Sequence, residues 1–499
     1  MLHHLSSLLA LPHSTDIIEL GHSLASWRFQ LFPWDVQTLN TATALAKLTG
    51  RPSLPSWAQR QSQLEHHFGP AIQAIAEGRS DDVIMLWMQH GRTSHNFAWL
   101  GEIGLFFMQR GDEAHARMVL ETTCIPAAHP IHIHLRALLA FCFDPPEAAI
   151  LQIHNLPHEF KWLRLLLEAQ TLVRLGEHAG TEALIMLWRE MPWHANLTLK
   201  LHGLLSPPSK PVAPNADTAV LVYSWNNADL LQQTLRSLSQ SELGEASLLV
   251  LDNGSSDHTP SVIQASAELF GQRMKNLRLP VNIGAPAARN WLLRHPEASR
   301  FQTLVFVDDD VLLPPDWLTG LAAQYRQAPA GSIVGCRIMD QAPKKTVQMA
   351  DVNLLDIGPD GDFLIANAGS GELDLGLHDY IRPCLSVTGC CHIMDRCHAQ
   401  KLGGFDLRFG PSQFDDFDLD LRNALQGGHA IYAGRTAIRH CQRSSLNQAD
   451  SEAKQGHIQG NMLKLKSKYT PDQKAMLLRR NCELLWHDLL AKTRELESL

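Results

Sequence analysis

Residues 304–317 read Leu-Val-Phe-Val-Asp-Asp-Asp-Val-Leu-Leu-Pro-Pro-Asp-Trp, an apolar run that stops abruptly at Asp308, Asp309 and Asp310. The apolar part is short, rich in strand formers and does not alternate, as expected of a strand buried on both faces of a parallel sheet. In open sheets of that kind, ligands gather beyond the carboxyl ends of the strands, where these acids fall. Three adjacent carboxylates repel and raise one another's pKa. A divalent cation relieves that penalty, and Mg²⁺ or Mn²⁺ takes carboxylate oxygens with substrate phosphates filling the rest of its shell. A solvated acidic turn is the competing reading of the triplet alone.

The rest of the chain places this strand. Ser206-Pro207-Pro208-Ser209-Lys210-Pro211-Val212-Ala213-Pro214 cannot continue a helix and reads as a semi-rigid spacer. The expected division is therefore an α-helical domain over 1–205, a Pro-rich linker over 206–216, an α/β domain over 217–445 and a helical extension over 446–499. In the first part, turns at Gly78–Val83, Gly111–Ala114, Pro145–Ala148 and Gly176–Ala179 recur about every thirty residues, the mark of helix-turn-helix repeats. Trp99-Leu100 and Trp162-Leu163 fall on first helices of such units. The segment loosely resembles tetratricopeptide repeats, with an incomplete residue set, and a non-repetitive bundle is the alternative.

After the spacer, strands alternate with helices, the sign of a parallel sheet with crossovers. Strands are expected at Ala219–Tyr223, Leu248–Leu251, Phe301–Val307 and Ala430–Arg439, with Thr259 capping the helix that Pro260 opens. The chain of 499 residues is long enough for several cores, and its net charge of −8 excludes a nucleic-acid footprint. Met1-Leu2-His3-His4-Leu5 has no basic n-region, so a secretory signal is not expected. No run approaches about 20 uninterrupted apolar residues, so no transmembrane segment is expected. Nine cysteines, two of them adjacent, suit free thiols in a reducing cytoplasm. Cys390, Cys391, His392, Cys397 and His398 match no paired zinc spacing and are expected as buried thiols and surface histidines.

Several motifs stand in order: Trp225-Asn226; Asp252-Asn253-Gly254-Ser255-Ser256-Asp257; Asn282-x-Gly284 before Arg289-Asn290; Asp308-Asp309-Asp310; Gly403-Gly404-Phe405-Asp406; Asp415-Asp416-Phe417-Asp418; and Arg439-His440. This set, over roughly residues 218–442, resembles the family-2 inverting glycosyltransferases with the GT-A fold, a Rossmann-like mixed α/β sheet.

The residues themselves carry part of that reading. Trp225, past a strand end, offers a flat face for a nucleobase, or else packs in the core. Asp252 can accept a base N–H, or serve the turn that Asp-Asn-Gly favours. Asp257 bonds ribose or steadies its loop. Asn226, Asn282 and Gly284 belong to the same rim. Arg289 follows a helix start, where both the helix N-terminus and the guanidinium favour phosphate; a structural pair with an Asp is equally open.

The resemblance adds roles. Asp308, Asp309 and Asp310 align with the family's acidic motif, Asp310 as the direct metal ligand, Asp308 toward ribose or metal, and Asp309 among the nucleotide-sugar contacts. His440 aligns with the histidine that completes the shell, and an imidazole favours Mn²⁺ over Mg²⁺. Asp416 aligns with the general base; Asp415 stands where the family has Glu, which leaves Asp415 as the second choice. Asp418, Asp420 and Arg422 are expected to form structural pairs.

The implied reaction moves a sugar from a nucleotide-diphosphate sugar, UDP first, to a hydroxyl on a glycan, protein or small molecule, with inversion. Residues 341–388 would shape the acceptor pocket, and the helical domain would bind a protein partner. The reading from another class is an interaction protein whose nucleotide-sugar domain is vestigial. A sugar-phosphate nucleotidyltransferase would need a Gly-rich basic loop after the first strand, where this chain has Ser224-Trp225-Asn226-Asn227.

Overall fold

A computed structural model of the chain describes residues 15–51, 54–61, 69–176, 178–206, 211–441 and 452–498. The terminus Met1–Leu5, Glu177, the linker residues Pro207–Lys210 and positions 446–451 of the expected extension lie outside them. The chain divides into two units, residues 1–197 with 343–345, and the remainder.

The first unit is helical. Four consecutive helix pairs are Gly69–Ala76 with Ser80–Gln89, Phe97–Arg110 with Glu113–Thr122, Pro130–Phe143 with Pro146–His154, and Lys161–Arg174 with Ala179–Glu190. The second helices begin at Ser80, Glu113, Pro146 and Ala179, a constant step of 33 residues. Each turn has a local cause. Gly111 takes φ 72° to end one helix and Asp112 caps the next by accepting from His115 N–H, while Pro146 sits at a helix start, where no N–H is needed. Trp27, Trp34, Trp87 and Trp99 are buried. A Cβ on Gly101 would lie 2.0 Å from the Trp34 ring, so glycine is required for that indole to seat.

The second unit is built on a ten-stranded mixed sheet: β1 (Thr218–Ser224), β2 (Ser247–Asp252), β3 (Met274–Arg278), β4 (Thr303–Val307), β5 (Val311–Leu312), β6 (Ser332–Asp340), β7 (Val347–Met349), β10 (Ile381–Cys384), β11 (Cys391–Asp395) and β12 (His429–His440). A separate hairpin pairs β8 (Val352–Ile357) with β9 (Phe363–Asn367). The order is β10-β12-β6-β11-β4-β1-β2-β3, with β5 on β12 and β7 on β6. β3, β2, β1 and β4 run parallel; β11 is antiparallel to both β4 and β6. Helices α1 (Ala228–Ser239), α2 (Thr259–Phe270) and α4 (Trp317–Gln327) cover one face, while α3 (Ala285–Arg294) and α5 (Asp415–Leu425) cover the other. Val220 and Val222 meet the first set, and Ala219 and Leu221 the second, so β1 is apolar throughout. Each such buried Val or Leu contributes about 1.5–3 kcal/mol.

Two boundaries differ from the sequence expectation. The unit division falls at residue 197, inside the helix Ala195–Leu205, because Leu199 packs into the sheet core and buried Lys200 pairs with Asp379 at 2.6 Å. Helix α2 starts at Thr259 itself; its N–H is received by Asp257 Oδ1 at 3.0 Å, so Asp257 does the capping assigned to Thr259. The end of the chain packs into the same unit. Helices α6 (Glu452–Lys468) and α7 (Pro471–Glu497) bring Leu465, Tyr469 and Leu477 against Val352, Phe409, Phe417 and Leu421. Among the described residues, no helix is long and apolar enough to cross a membrane.

Asp418, fully buried on α5, fastens that junction. It accepts from Arg422 Nε at 2.8 Å, from the Tyr469 hydroxyl at 2.7 Å and from Lys468. Asp420 faces elsewhere: it accepts from Ser386 Oγ and Val387 N–H, and burial pushes its carboxyl up to about 8, so the pair expected with Arg422 belongs to Asp418 alone. Asp418→Ala removes the buried carboxylate shared by Arg422, Lys468 and the Tyr469 hydroxyl, leaving Lys468 to Asp406 and Arg422 to the Leu402 and Gly404 carbonyls, and is expected to cost about 3 kcal/mol, read as a drop in the urea midpoint.

Candidate active site

Strand register brings the motifs to one rim. Ser224 pairs with Asp252 and Val222 with Val307, so β1, β2 and β4 end together. The antiparallel partner β11 places Cys390 beside the triplet, its carbonyl receiving Asp308 N–H at 2.9 Å. β5 pairs Val311 with His440, and Cys441 N–H donates to the Asp310 carbonyl at 2.7 Å. The last residue of a 12-residue strand is thereby held against the acids 130 positions upstream.

The result is a cavity of about 810 Å³ lined by Trp225, Asn226, Asn282, Gly284, Arg289, Asp308, Asp309, Asp310, Asp415, Asp416 and His440. Ligand atoms of Asp308, Asp310 and His440 all lie within 4.8 Å of one another. His440 Nε2 is 3.0 Å from Asp310 Oδ1, and its Nδ1 is 2.7 Å from Gln348 Oε1. Burial works against a charged His440 ring, but the hydrogen bond to Asp310 and the nearby charges of Asp308 and Asp309 outweigh it and raise its pKa. Burial also lifts Asp308, against the pull of Arg289. Two carboxylates and one imidazole form a donor set that suits a hard or borderline divalent ion. Among the described residues no other three His, Cys, Asp or Glu side chains gather this way.

Asp309 turns from this trio. Its Oδ2 accepts from Ser224 Oγ at 2.5 Å, and burial beside Asp310 pushes it up to about 7. Arg289 is buried and spans two acids, Asp415 Oδ2 at 2.7 Å and Asp308 Oδ1 at 3.1 Å, so its guanidinium balances carboxylates, the second of its two expected uses. Asp415, 2% exposed, is committed to that pair. Its neighbour Asp416 is half-buried at the cavity wall, its Oδ2 accepting from Gly389 N–H at 2.7 Å and its Oδ1 from Phe417 N–H at 2.8 Å. Gln413 and Phe414, just ahead of α5, hold φ of 84° and 70°, the strained left-handed region that clusters at functional sites.

Trp225 is 50% exposed at the cavity mouth, which removes the core alternative for that indole. Asn226 fixes its loop with φ 49°, its Oδ1 receiving Ser256 N–H at 2.8 Å. Asn282 Oδ1 receives Gly284 N–H and Asn253 Nδ2. Gly284 has φ +81°, and a Cβ there would sit 3.2 Å from the Pro411 carbonyl, so both backbone conformation and space favour glycine. Asp252 and Asp257 do not line the cavity. Asp252 accepts from Ser255 N–H and pairs with Arg278 at 3.0 Å, and Asp257 accepts from Ala228 N–H and Thr259 N–H. His392 is a further correction: it is buried beside Phe306, and its pKa falls to about 4 through burial, whereas a surface position was expected. Asn227, Asn253, Gln348 and Thr388 also line the cavity with no role expected of them; Asn253 lies within the Asp252–Asp257 motif and Asn227 directly after Trp225-Asn226, while Gln348 and Thr388 stand in no motif.

Residues 219–371, which hold the parallel β3-β2-β1-β4 half of the sheet and the acidic triplet, match the model of glycosyl transferase family 2. The chain is 28% identical over 238 residues to O-antigen biosynthesis protein RfbC of Myxococcus xanthus, covering 47% of this chain and 18% of that protein. It is 25% identical over 125 residues to an N-acetylglucosaminyltransferase of Azorhizobium caulinodans, covering 25% of this chain and 31% of that one. The chain thus spans less than a third of either relative. Among solved structures it resembles GalNAc-T7 with UDP, GalNAc and Mn²⁺ (TM-score 0.38, 14% identity, 46% of this chain and 43% of the other). It also resembles the mannosyltransferase PcManGT from Pyrobaculum calidifontis with GDP-Man and Mn²⁺ (TM-score 0.37, 18% identity, 63% and 85%).

Proposed function

We propose that the second unit is a metal-dependent, inverting hexosyltransferase that moves a sugar from a nucleotide-diphosphate sugar, UDP first, to a hydroxyl acceptor. One observation carries the reading: a single cavity gathers the Asp308–Asp310–His440 trio, the exposed indole of Trp225 and the Asp416 carboxylate.

Trp225 stacks the nucleobase at the mouth, with Asn226, Asn282 and Gly284 shaping the adjoining wall. Asp308, Asp310 and His440 hold the divalent ion, which when bound supplies Lewis-acid stabilisation of a departing diphosphate. Arg289 holds Asp308 and Asp415 in place and favours their charged forms against the burial that works the other way. Asp309 steadies the rim through Ser224. Asp252 and Asp257 support the base and ribose side by ordering the loop between β2 and α2. A carboxylate oxygen of Asp416 takes the acceptor hydroxyl's proton as that oxygen attacks the anomeric carbon; one base and one displacement invert the configuration. The relatives' names bring a glycan acceptor and an N-acetylhexosamine donor to the front of the tests. The helical first unit is assigned to a protein partner, and the chain to the cytoplasm.

The test is a panel of UDP-, GDP- and dTDP-sugars with Mn²⁺, read as donor hydrolysis without acceptor. One UDP-sugar is expected to turn over well above the others. No hydrolysis and no nucleotide binding across the panel would leave the vestigial, partner-binding reading in its place.

A further inference from the structure

Beyond the trio itself, the cavity contains a side chain whose chemistry is set by what lies behind it. Gln348, on β7, reaches His440 from the side opposite the acids, Oε1 to Nδ1 at 2.7 Å. Its amide nitrogen faces Asp340 Oδ1 at 3.5 Å. Asp340 is 1% exposed at the end of β6, and its other oxygen receives the Thr346 hydroxyl at 2.5 Å. Asp340 accepts there, so the NH₂ of Gln348 faces it and its carbonyl faces the imidazole. A carbonyl only accepts too, so His440 Nδ1 must carry the hydrogen. Nε2, the atom that points at Asp310, is then the ring nitrogen left to face the acids and to give its lone pair to a cation held there.

We propose that Gln348 is a positioning residue that fixes the tautomer and ring orientation of His440, so that Nε2 is presented ready-made to a divalent cation shared with Asp308 and Asp310. The inference rests on the reading of that trio as a cation site. Ligating histidines work this way in general: the ring nitrogen not on the metal donates to an oriented oxygen, and losing that partner typically weakens metal affinity about 10–100-fold. The relay Asp340–Gln348–His440 also gives the stretch after residue 341 a task that differs from shaping the acceptor pocket. The strand around Gln348 is anchored independently of its side chain. Val347 N–H donates to the Glu372 carbonyl at 3.0 Å, and Asn367 Nδ2 donates to the Gln348 carbonyl at 3.3 Å. A substitution at 348 therefore leaves β7 in place.

The experiment measures Mn²⁺ binding to the full chain, with the metal alone, by calorimetry and by the electron-spin signal of free Mn²⁺. Gln348→Leu is expected to weaken Mn²⁺ about 10–100-fold with an unchanged melting temperature, and His440→Ala at least as much. The double variant Gln348→Leu/His440→Ala should bind no worse than His440→Ala alone, because Gln348 acts only through that ring. Gln348→Glu with Asp340→Asn rebuilds the relay with the donor moved to position 340, and should recover most of the affinity. A Gln348→Leu protein that binds Mn²⁺ like the parent, while His440→Ala binds poorly, overturns the positioning role and leaves the metal site standing. Additive losses in the double variant overturn it as well, since they would show Gln348 acting by another route. If Asp310→Ala and His440→Ala both bind Mn²⁺ like the parent, the cation site itself falls, and this inference with it.

Discussion

Asp310→Ala is expected to remove measurable UDP–Mn²⁺ binding and to lower sugar transfer at least about 10³-fold, the effect of losing several kcal/mol of charge stabilisation at about 1.4 kcal/mol per factor of ten. The size follows from where Asp310 sits. Of the three consecutive acids it is the one turned to His440, 3.0 Å from Nε2, and its backbone is fixed by Cys441 N–H and by the pairing of Val311 with His440. Removing it leaves Asp308, already shared with Arg289, and one imidazole as the only donors of the trio. The fold should not suffer, because the substitution takes one charge out of a group of mutually repelling carboxylates. Calorimetry with UDP and Mn²⁺, beside a melting curve, separates the two effects. Nucleotide binding that survives with Mn²⁺ dependence intact would dismiss the trio as the cation site.

Much of this site was readable because its chemistry sits where strands stop. An unalternating run such as Leu304–Val307 needs cover on both faces, so its acids had to emerge at a rim, and β1 and β2 ended there for the same reason. The helical turns were readable because Gly111, free to take the left-handed conformation, and the Pro145–Pro146 pair, restricted in φ and lacking N–H groups, interrupt helices through the backbone alone. What the sequence hid is pairing across distance. From its helix start Arg289 reads equally as a phosphate ligand or as half of an ion pair, and only the three-dimensional fold shows Asp415, 126 residues away, closing on it at 2.7 Å. Asp252 reads as a base contact, and only the parallel register of β2 with β3 brings Arg278 to its carboxylate. Gln348 carried no local signal at all; its relevance is set by His440, 92 positions on. His392 escaped because a lone polar residue in an otherwise apolar strand looks the same whether its ring faces water or Phe306.

Asp416→Asn is expected to leave UDP–Mn²⁺ affinity within about twofold while transfer falls about 10²–10⁴-fold, the usual worth of a positioned general base. The carboxylate is oriented by two backbone donors, Gly389 N–H at 2.7 Å and Phe417 N–H at 2.8 Å, and Gly389 is pressed so close that a Cβ there would meet Oδ2 at 2.7 Å. An amide has one accepting oxygen where the carboxylate has two, so one of those N–H groups loses its partner in the variant. That costs about 1–3 kcal/mol of stability, a shift a melting curve must record before the kinetics are compared. The loss of rate should appear in kcat with donor KM nearly unchanged, because the proton leaves the acceptor only in the transition state. Asp415 is the one neighbouring acid that could replace it, and its geometry argues against that. It is 2% exposed and tied to Arg289, so drawing a proton to it would mean breaking a buried ion pair. Asp415→Asn should accordingly weaken the fold and loosen Asp308 through Arg289, lowering donor affinity as well as rate. An Asp416→Asn protein that keeps more than a tenth of its turnover, with Asp415→Asn the one that abolishes it at unchanged donor affinity, would exchange the two assignments.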